Sequence, residues 1–547
     1  MKISRRKLVG GTLAGLSAAV LAKALKLDEK INYKRKPVSG KIIGASAATG
    51  HKLRQFDFPK PTTSSKKDIV IVGGGIAALA TAKRLANCGV KNFTILELED
   101  HVGGNSSSGK NAVSEFPWGA HYVPLLSSES KAVIKLFEEL GIITGYNAKG
   151  LPIYNEYYTC FEPQERLYIY GKWQEDLIPT IAISEVDHEQ YKRFFSYVNS
   201  LKNKRGSDNK ILFAIPLDMS SQDKNWLKLD QITMRQWLQN NGYDSKYLQW
   251  YVNYCCRDDY GTDFKEVSAW AALHYFAARN GQAANVDSST VITWPQGNGW
   301  LVQKLSNHCK DNIENNALVY RVEKNNNRVS VYYYDNILKQ SKLIEAKTVV
   351  MATPRFITSR LVDAKSSKIT AKDFSYSPWV VANITLSELP QGRGQPLSWD
   401  NVVYNSKMLG YVVATHQITE MNPIKTVITY YWPLSHTDPA QARQEALAKT
   451  HQDWQEIILE ELYNIHPELD GKVENIDICL WGHAMVRPTA SFIWGNSRRQ
   501  SLKQQPPIFT AHSDMSGISI FEEAYTHGVR AAENVMSYLQ IPFSSIL

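Results

Sequence analysis

An α/β fold is predicted by three observations. A short β-branched run, Asp68 to Val72, leads straight into Gly73-Gly74-Gly75-Ile76-Ala77-Ala78. A helical pattern through Leu79, Ala82, Leu85 and Ala86 then runs to Gly89, and Phe93 to Leu96 forms a second run ending at Glu97. Later segments alternate between helical and strand periods, which suits an α+β domain inserted into the first. Strand, glycine turn, helix, strand and acid, in that order, make a Rossmann-like dinucleotide unit.

Each residue of the turn has a task. Gly73 permits the tight bend, and Gly75 lets the backbone approach a pyrophosphate. Ala78 is small enough for close helix–strand packing. The first helical residues, Ile76 and Ala77, offer unpaired N–H groups and the positive end of the helix dipole. Glu97, 24 residues after Gly73, is placed to accept hydrogen bonds from ribose hydroxyls, with Leu98 beside it.

The composition sets broad limits. The chain has 547 residues, 43% hydrophobic and 21% charged, which suits several globular domains and excludes disordered or collagen-like classes. Formal net charge is +9. Residues 1–67 alone carry +13, so residues 68–547 carry −4. The body therefore lacks the basic balance of a nucleic-acid binder, and no such partner is expected. Six cysteines are too few and scattered for a disulfide framework, and no CxxC pair points to a metal. Cys255 and Cys256 are expected to be buried thiols, with a vicinal disulfide as the sharper alternative.

The leader explains the charge. Ser4-Arg5-Arg6-Lys7-Leu8 precedes an uncharged, Gly- and Ala-rich stretch to Ala22, and Ala22-Lys23-Ala24 fits a small-x-small cleavage site. This resembles a twin-arginine export signal. It implies the twin-arginine translocase as a partner, and a location in the periplasm or on the outer face of the cytoplasmic membrane. Such systems carry folded proteins, often with a cofactor already inserted.

Downstream segments select the cofactor. Asp100-His101-Val102-Gly103-Gly104-Asn105 follows Glu97, and Phe116-Pro117-Trp118-Gly119-Ala120-His121-Tyr122-Val123 comes soon after. Trp294 to Leu301 holds a Gly-containing turn before a helix. Val319 to Val322, Arg328 to Tyr332 and Val349 to Pro354 form a strand–strand–Ala-Thr-Pro return. Pro507 to Asp514 precedes Phe521-Glu522-Glu523-Ala524 and Gly528-Val529-Arg530-Ala531-Ala532. With these segments the chain resembles the flavin-containing amine oxidoreductase superfamily, which includes amine oxidases and phytoene-desaturase-like enzymes.

The resemblance implies FAD. It places Gly103, Gly104 and Asn105 near phosphate, although the family usually has Arg where Asn105 stands. It places Trp118, Gly119 and Ala120 by the flavin ring, Val322 against adenine, Asp514 at the ribityl chain, and Phe521 and Glu522 at the pyrimidine end. Many amine oxidases hold a Lys near the flavin shortly after the Ala-Thr-Pro strand. Arg360 stands in that vicinity, which leaves room for a dehydrogenase.

The expected organisation is a signal peptide over residues 1–24 and a basic linker or arm over 25–67. The FAD-binding domain takes 68–130, 291–365 and 501–547; the substrate domain takes 131–290 and 366–500. Within the latter, helices are expected over Lys131 to Leu140 and Lys265 to Arg279, and from an Asp438 N-cap with Pro439 and a Gln441 capping partner towards Tyr463. Leu409 to Thr415 and Lys425 to Trp432 should pair as antiparallel strands. His121, Tyr122, Trp481, His483 and Tyr260 are the candidates for the substrate pocket. The expected function is an exported FAD-dependent oxidoreductase that transfers hydride from a substrate C–H, an amine by resemblance, to flavin N5, with oxygen or a quinone as acceptor. The alternatives are a desaturase or isomerase of a lipid-like substrate, and a non-catalytic flavin-bound binding or assembly protein.

Overall fold

Two sheets organise the chain. In the computed structural model, residues 37–325, 328–362, 373–419 and 423–547 are described. The leader, residues 1–24, lies outside the described residues. The first sheet runs in the order Ile313–Glu314, Phe93–Leu96, Thr63–Val72, Gln340–Met351, Val329–Asp335 and Ala317–Lys324, with Ile508–Thr510 also pairing to Gln340–Met351. Phe93–Leu96, Thr63–Val72, Gln340–Met351 and Ile508–Thr510 are joined by parallel pairings, and their central residues are fully buried, as the continuous β-branched runs require. This is the expected α/β, Rossmann-like fold.

The strand that enters the glycine turn begins at Thr63, five residues before the expected domain boundary at 68. Thr63 to Lys67 pair with Lys342 to Ala346 while facing solvent. Exposure allows polar residues there, which hid the strand among linker-like composition.

Helix Ile76–Asn87 crosses the C-terminal helix Phe521–Tyr538 closely. Thr81 Oγ1 donates to the Gly528 carbonyl at 2.9 Å. A Cβ at Gly528 would sit 2.3 Å from the Ala77 carbonyl, so this crossing requires glycine.

The second sheet has eight strands in the order Ile42–Ile43, Val473–Val486, Tyr376–Leu386, Thr426–Pro433, Gly410–Val413, Asp400–Val403, Glu165–Ile169 and Lys172–Glu175. The pair Gly410–Val413 and Thr426–Pro433 is antiparallel, as the alternation predicts. Helices Glu185–Leu201, Met234–Asn240, Lys246–Tyr260 and Ala269–Ala278 pack in the same hydrophobic core as this sheet.

Several expectations need correction. Helix Lys131–Glu139 packs in the core of the first sheet, not the second, through Val133, Leu136 and Phe137. Of the expected arm over 25–67, the described residues 37–67 are more than an arm. Ile42 and Ile43 pair in parallel with Ile478 and Cys479, and short helices at Ala47–Gly50 and Lys52–Gln55 follow. The helix expected from Lys265 starts at Ala269, because Ser268 caps it and Asp263 to Val267 form a turn. The helix after Asp438 stops at Ala448; a new one, His451–Ile465, begins under a Thr450–Asp453 capping box. Asp438 caps as expected, but Gln441 reaches forward to Glu445 rather than back to the cap. Cys255 and Cys256 are buried free thiols.

Candidate functional site

Two adjacent cavities share six lining residues. The first, about 1360 Å³ of empty space counted to its mouth, is walled by the glycine turn, Glu97–Leu98, Gly103–Asn105, Ala317–Val319, Ala352–Pro354 and Asp514. It lies at the carboxyl ends of the parallel strands, where open α/β sheets bind ligands.

Its geometry suits a dinucleotide. Gly73 has φ +97°, and a Cβ there would meet the Ala352 carbonyl at 2.6 Å. Gly75 is different: φ is −73°, and a Cβ would meet nothing within 4 Å. The missing side chain at Gly75 leaves free space at the helix N-terminus, where Ile76 and Ala77 also line the wall. The Gly103 N–H donates to the Gly74 carbonyl at 2.9 Å, which ties the second glycine pair to the first.

Glu97 is held by two backbone donors. Oε2 accepts from Gly74 N at 2.5 Å and Oε1 from Glu99 N at 2.9 Å. Burial raises its pKa to about 7 despite those bonds. Asp514 Oδ2 accepts from Arg355 N at 2.7 Å and Tyr376 Oη at 2.5 Å. Its Oδ1 is buried 3.1 Å from His512 Nδ1, which accepts from the Asp514 N–H, and has no other partner among the described residues. Burial alone would raise the Asp514 pKa, but His512 and the hydrogen bonds outweigh it and hold the carboxyl low. An ionised, under-satisfied acceptor facing this cavity fits a polyhydroxyl chain.

Asn105, Ala120, Ala484, Ser519, Ile520 and Phe521 line both cavities. Beyond them lies an aromatic chamber of about 1040 Å³, again counted to its mouth. Gly119, Ala120, His121, Tyr122, Trp379, Tyr431, Trp481 and Met485 form part of its wall, with Asp258, Asp259, Arg279 and Glu522. The Gly119 turn is firmly held: Tyr431 Oη donates to its carbonyl at 3.0 Å, and Trp481 Nε1 donates to the Trp118 carbonyl at 2.6 Å. His121 stacks on Tyr431 with ring centroids 4.6 Å apart. Burial lowers the His121 pKa to about 4 and raises that of Tyr122, so both are neutral near pH 7.

Most sequence-chosen residues meet at these two cavities. Gly73, Gly75, Ile76, Ala77, Glu97, Leu98, Gly103, Gly104 and Asp514 line the first, Asn105, Ala120 and Phe521 line both, and Gly119, His121, Tyr122, Trp481 and Glu522 line the second. Five placements differ. Ala78 is fully buried in the helix body and reaches neither cavity. The Trp118 ring packs edge-on to Phe116 beneath the site, and only its carbonyl supports the chamber. The cavity meets its strand at Ala317 to Val319; Val322, three residues on, is buried and bridged to Val362. Tyr260 is completely buried and donates to the Ala271 carbonyl at 2.8 Å. His483 faces the first cavity rather than the second, stacked 4.3 Å from Phe356.

The sequence reasoning missed Gly50 and Leu53 on the first cavity, and Asp258, Asp259, Arg279, Trp379 and Tyr431 on the second. The adjacent carboxylates at the end of helix Lys246–Tyr260 were the one available signal. Asp259 pairs with Arg279, which also donates to Tyr122 Oη at 3.3 Å. Arg360 donates to the Leu53 carbonyl, and no lysine lines either cavity among the described residues.

The comparisons agree with this geometry. Residues 71–140 match the model of the NAD(P)-binding Rossmann-like domain. The flavin-containing amine oxidase B of Mus musculus is 37% identical over 82 residues, 15% of each chain. The human counterpart is 38% identical over the same length. The chain thus matches only about a seventh of the length of these curated relatives. Among solved structures, cyclohexylamine oxidase from Brevibacterium oxydans IH-35A superposes with a TM-score of 0.62 at 14% identity, covering 87% of this chain and 100% of that one. A putrescine oxidase double mutant gives 0.61 at 18%, with the same coverage. A fatty acid isomerase from P. acnes gives 0.58 at 16%, covering 86% and 98%. The fold is therefore that of these enzymes over most of the chain.

Proposed function

We propose that this chain is an FAD-dependent oxidoreductase of the amine oxidase type. The observation that carries the reading is the adjacency of the two cavities: a dinucleotide cradle and an aromatic chamber share Ala120 and Phe521 in their walls. Glu97 would hold the adenosine ribose, the Gly73–Ala77 turn and Gly103–Gly104 the pyrophosphate, and Asp514 the ribityl chain. Bound FAD would supply a hydride acceptor.

The protein's part is to bind, orient and desolvate. Tyr431 and Trp481 fix the Gly119 turn, which sets the floor on which a substrate carbon rests. The groups beside that turn are neutral, because burial keeps His121 unprotonated and Tyr122 protonated. A neutral aromatic wall favours the uncharged amine, whose lone pair drives loss of hydride from the adjacent carbon. The amine carbon loses hydride and becomes an iminium, which water hydrolyses after release.

The charged lining of the chamber favours an amine over a lipid-like substrate. The Arg5-Arg6 leader supports export by the twin-arginine pathway to the periplasm or the outer face of the cytoplasmic membrane, with oxygen or a quinone as final acceptor. The test is to purify the exported protein, record its flavin spectrum and add amines anaerobically. Bleaching near 450 nm on the order of turnover rates is the expected result. Bound flavin that no amine, fatty acid or carotenoid bleaches would favour a non-catalytic binding protein instead.

A further inference from the structure

The aromatic chamber has two unlike ends. At the Gly119–Ala120 turn its lining is neutral. At the end of helix Lys246–Tyr260 it meets two adjacent carboxylates, Asp258 and Asp259, and one cation, Arg279. Asp259 is neutralised by Arg279. Asp258 lines the same cavity and, among the described residues, has no ion pair and no hydrogen-bond partner.

Two more carboxylates stand next to it. Tyr254 precedes Asp258 by one helical turn, on the same face, and its hydroxyl lies 3.5 Å from Asp400 Oδ2. Asp400 and Glu165 are register partners on adjacent parallel strands, so their side chains share one face of the sheet. Among the described residues neither forms a salt bridge, although Gln164 hydrogen-bonds Glu165. Burial, reinforced by the neighbouring carboxylates, pushes Asp258 and Glu165 up to about 7 and Asp400 higher. On a separate element, Glu522 also lines the cavity. It is 2% exposed and, among the described residues, forms no salt bridge, although it feels the charges of Arg279 and Asp259.

Asp258 on the chamber wall, backed by Asp400 and Glu165, and Glu522 on the same wall leave the chamber short of a second cation beside Arg279. An ordinary protein ion pair would have supplied one, as Arg279 does for Asp259. We propose that the substrate is a diamine or polyamine. Its distal ammonium is held by Asp258 with Glu165 and Asp400, while its reacting nitrogen, uncharged, lies at the Gly119–Ala120 end. This rests on the amine-oxidising reading above and adds the second charge to it. The distal ammonium takes no part in the bond changes.

The experiment compares 1,4-diaminobutane, spermidine and butylamine on the FAD-loaded full-length protein by anaerobic flavin bleaching. A diamine preference of about 100-fold in kcat/KM is expected, the scale of one buried charge pair. D258N should bring that ratio to about unity, and D400N and E165Q should reduce it. These two carry the same test if D258N does not fold. In parallel, calorimetry measures binding of hexamethonium, a bis-quaternary cation with no oxidisable amine, to the oxidised protein. Binding should weaken at least about 10-fold in D258N.

Butylamine bleaching as fast as the diamines, or D258N lowering both alike, would overturn the diamine proposal and leave the amine reading standing. Hexamethonium bound tightly by the parent and weakly by D258N, with no amine bleaching the flavin, would sustain the cation site and sink the amine chemistry. Neither bleaching nor hexamethonium binding would sink both.

Discussion

The two cavities are built on different plans. The phosphate side of the first is made of backbone and small residues from three closely spaced segments, the 73–77 turn, Glu97–Leu98 and Gly103–Asn105, completed by Ala317–Val319, Ala352–Pro354 and Asp514. The second is made of large side chains drawn from distant places, including Tyr122, Asp258, Arg279, Trp379, Tyr431, Trp481 and Glu522. A backbone cradle depends on where side chains are absent. A side-chain chamber depends on which ones are present. The first plan suits a ligand common to many proteins, and the second a ligand particular to one.

The sharpest way to break this contrast is to fill the cradle. Gly75→Leu adds its side chain to open space with an ordinary φ, so the fold should persist while FAD retention falls at least about 100-fold. Flavin absorbance against the melting temperature of the flavin-free protein measures this. A large drop in that melting temperature would mean Gly75 is structural.

Trp481→Ala attacks the other plan. It removes a chamber wall and the donor to the Trp118 carbonyl. We expect kcat/KM to fall about 100-fold with flavin content retained. Loss of flavin in proportion to activity would erase the distinction between the cavities. Glu97→Gln is milder, because the amide keeps one acceptor for the two N–H groups now on the carboxylate. FAD should bind about 10-fold more weakly, measured by flavin fluorescence, with substrate preference unaltered.

The carboxyls of the chamber give a pH signature. In the flavin-free fold Asp258, Glu165 and Glu522 sit near 7, above their unfolded values. Above the unfolded pKa the folded state holds more protons than the unfolded one, so stability falls as pH rises towards the folded pKa and levels off beyond it. The buried His121, His274 and His483, pushed down to about 4, oppose this trend below their unfolded value of 6.5 and are neutral in both states above it. The melting temperature should therefore decline by a few degrees between about pH 6.5 and 8, less steeply in D258N. An equal slope in the two proteins would remove Asp258 from this account. The smallest effect is expected for His483→Ala. It should speed FAD release by about 3-fold and leave amine selectivity alone, since His483 faces the first cavity.

The same contrast explains what the sequence disclosed. Gly73, Gly75 and Glu97 stand at fixed spacing because one local turn and one strand position them, so their pattern survives in one dimension. Tyr431, Trp379 and Arg279 come together only through sheet pairing and helix packing, and each is locally indistinguishable from a core aromatic or a helix-end cation. His483 and Tyr260 were chosen by neighbourhood in sequence. The strand Val473–Val486 points His483 to the other cavity, and the helix Lys246–Tyr260 turns Tyr260 inward, one residue after the Asp259 that does face the chamber. Val322 failed by three residues because the cavity touches the start of its strand, and periodicity gives no marker for that depth.

The segment from Ser39 to Gln55 carries one more consequence. Lys41 N donates to Asp477 Oδ1 across 436 positions, Ile42 and Ile43 pair with Ile478 and Cys479, and Gly50 and Leu53 then cover the cradle. Contacts so distant along the chain carry a large loop-closure cost and form after local structure. The roof of the cradle is thus tied down by a pairing far away in the chain. A flavin seated under Gly50 and Leu53 is shut in by that pairing, and its exchange would require the 39–55 segment to lift.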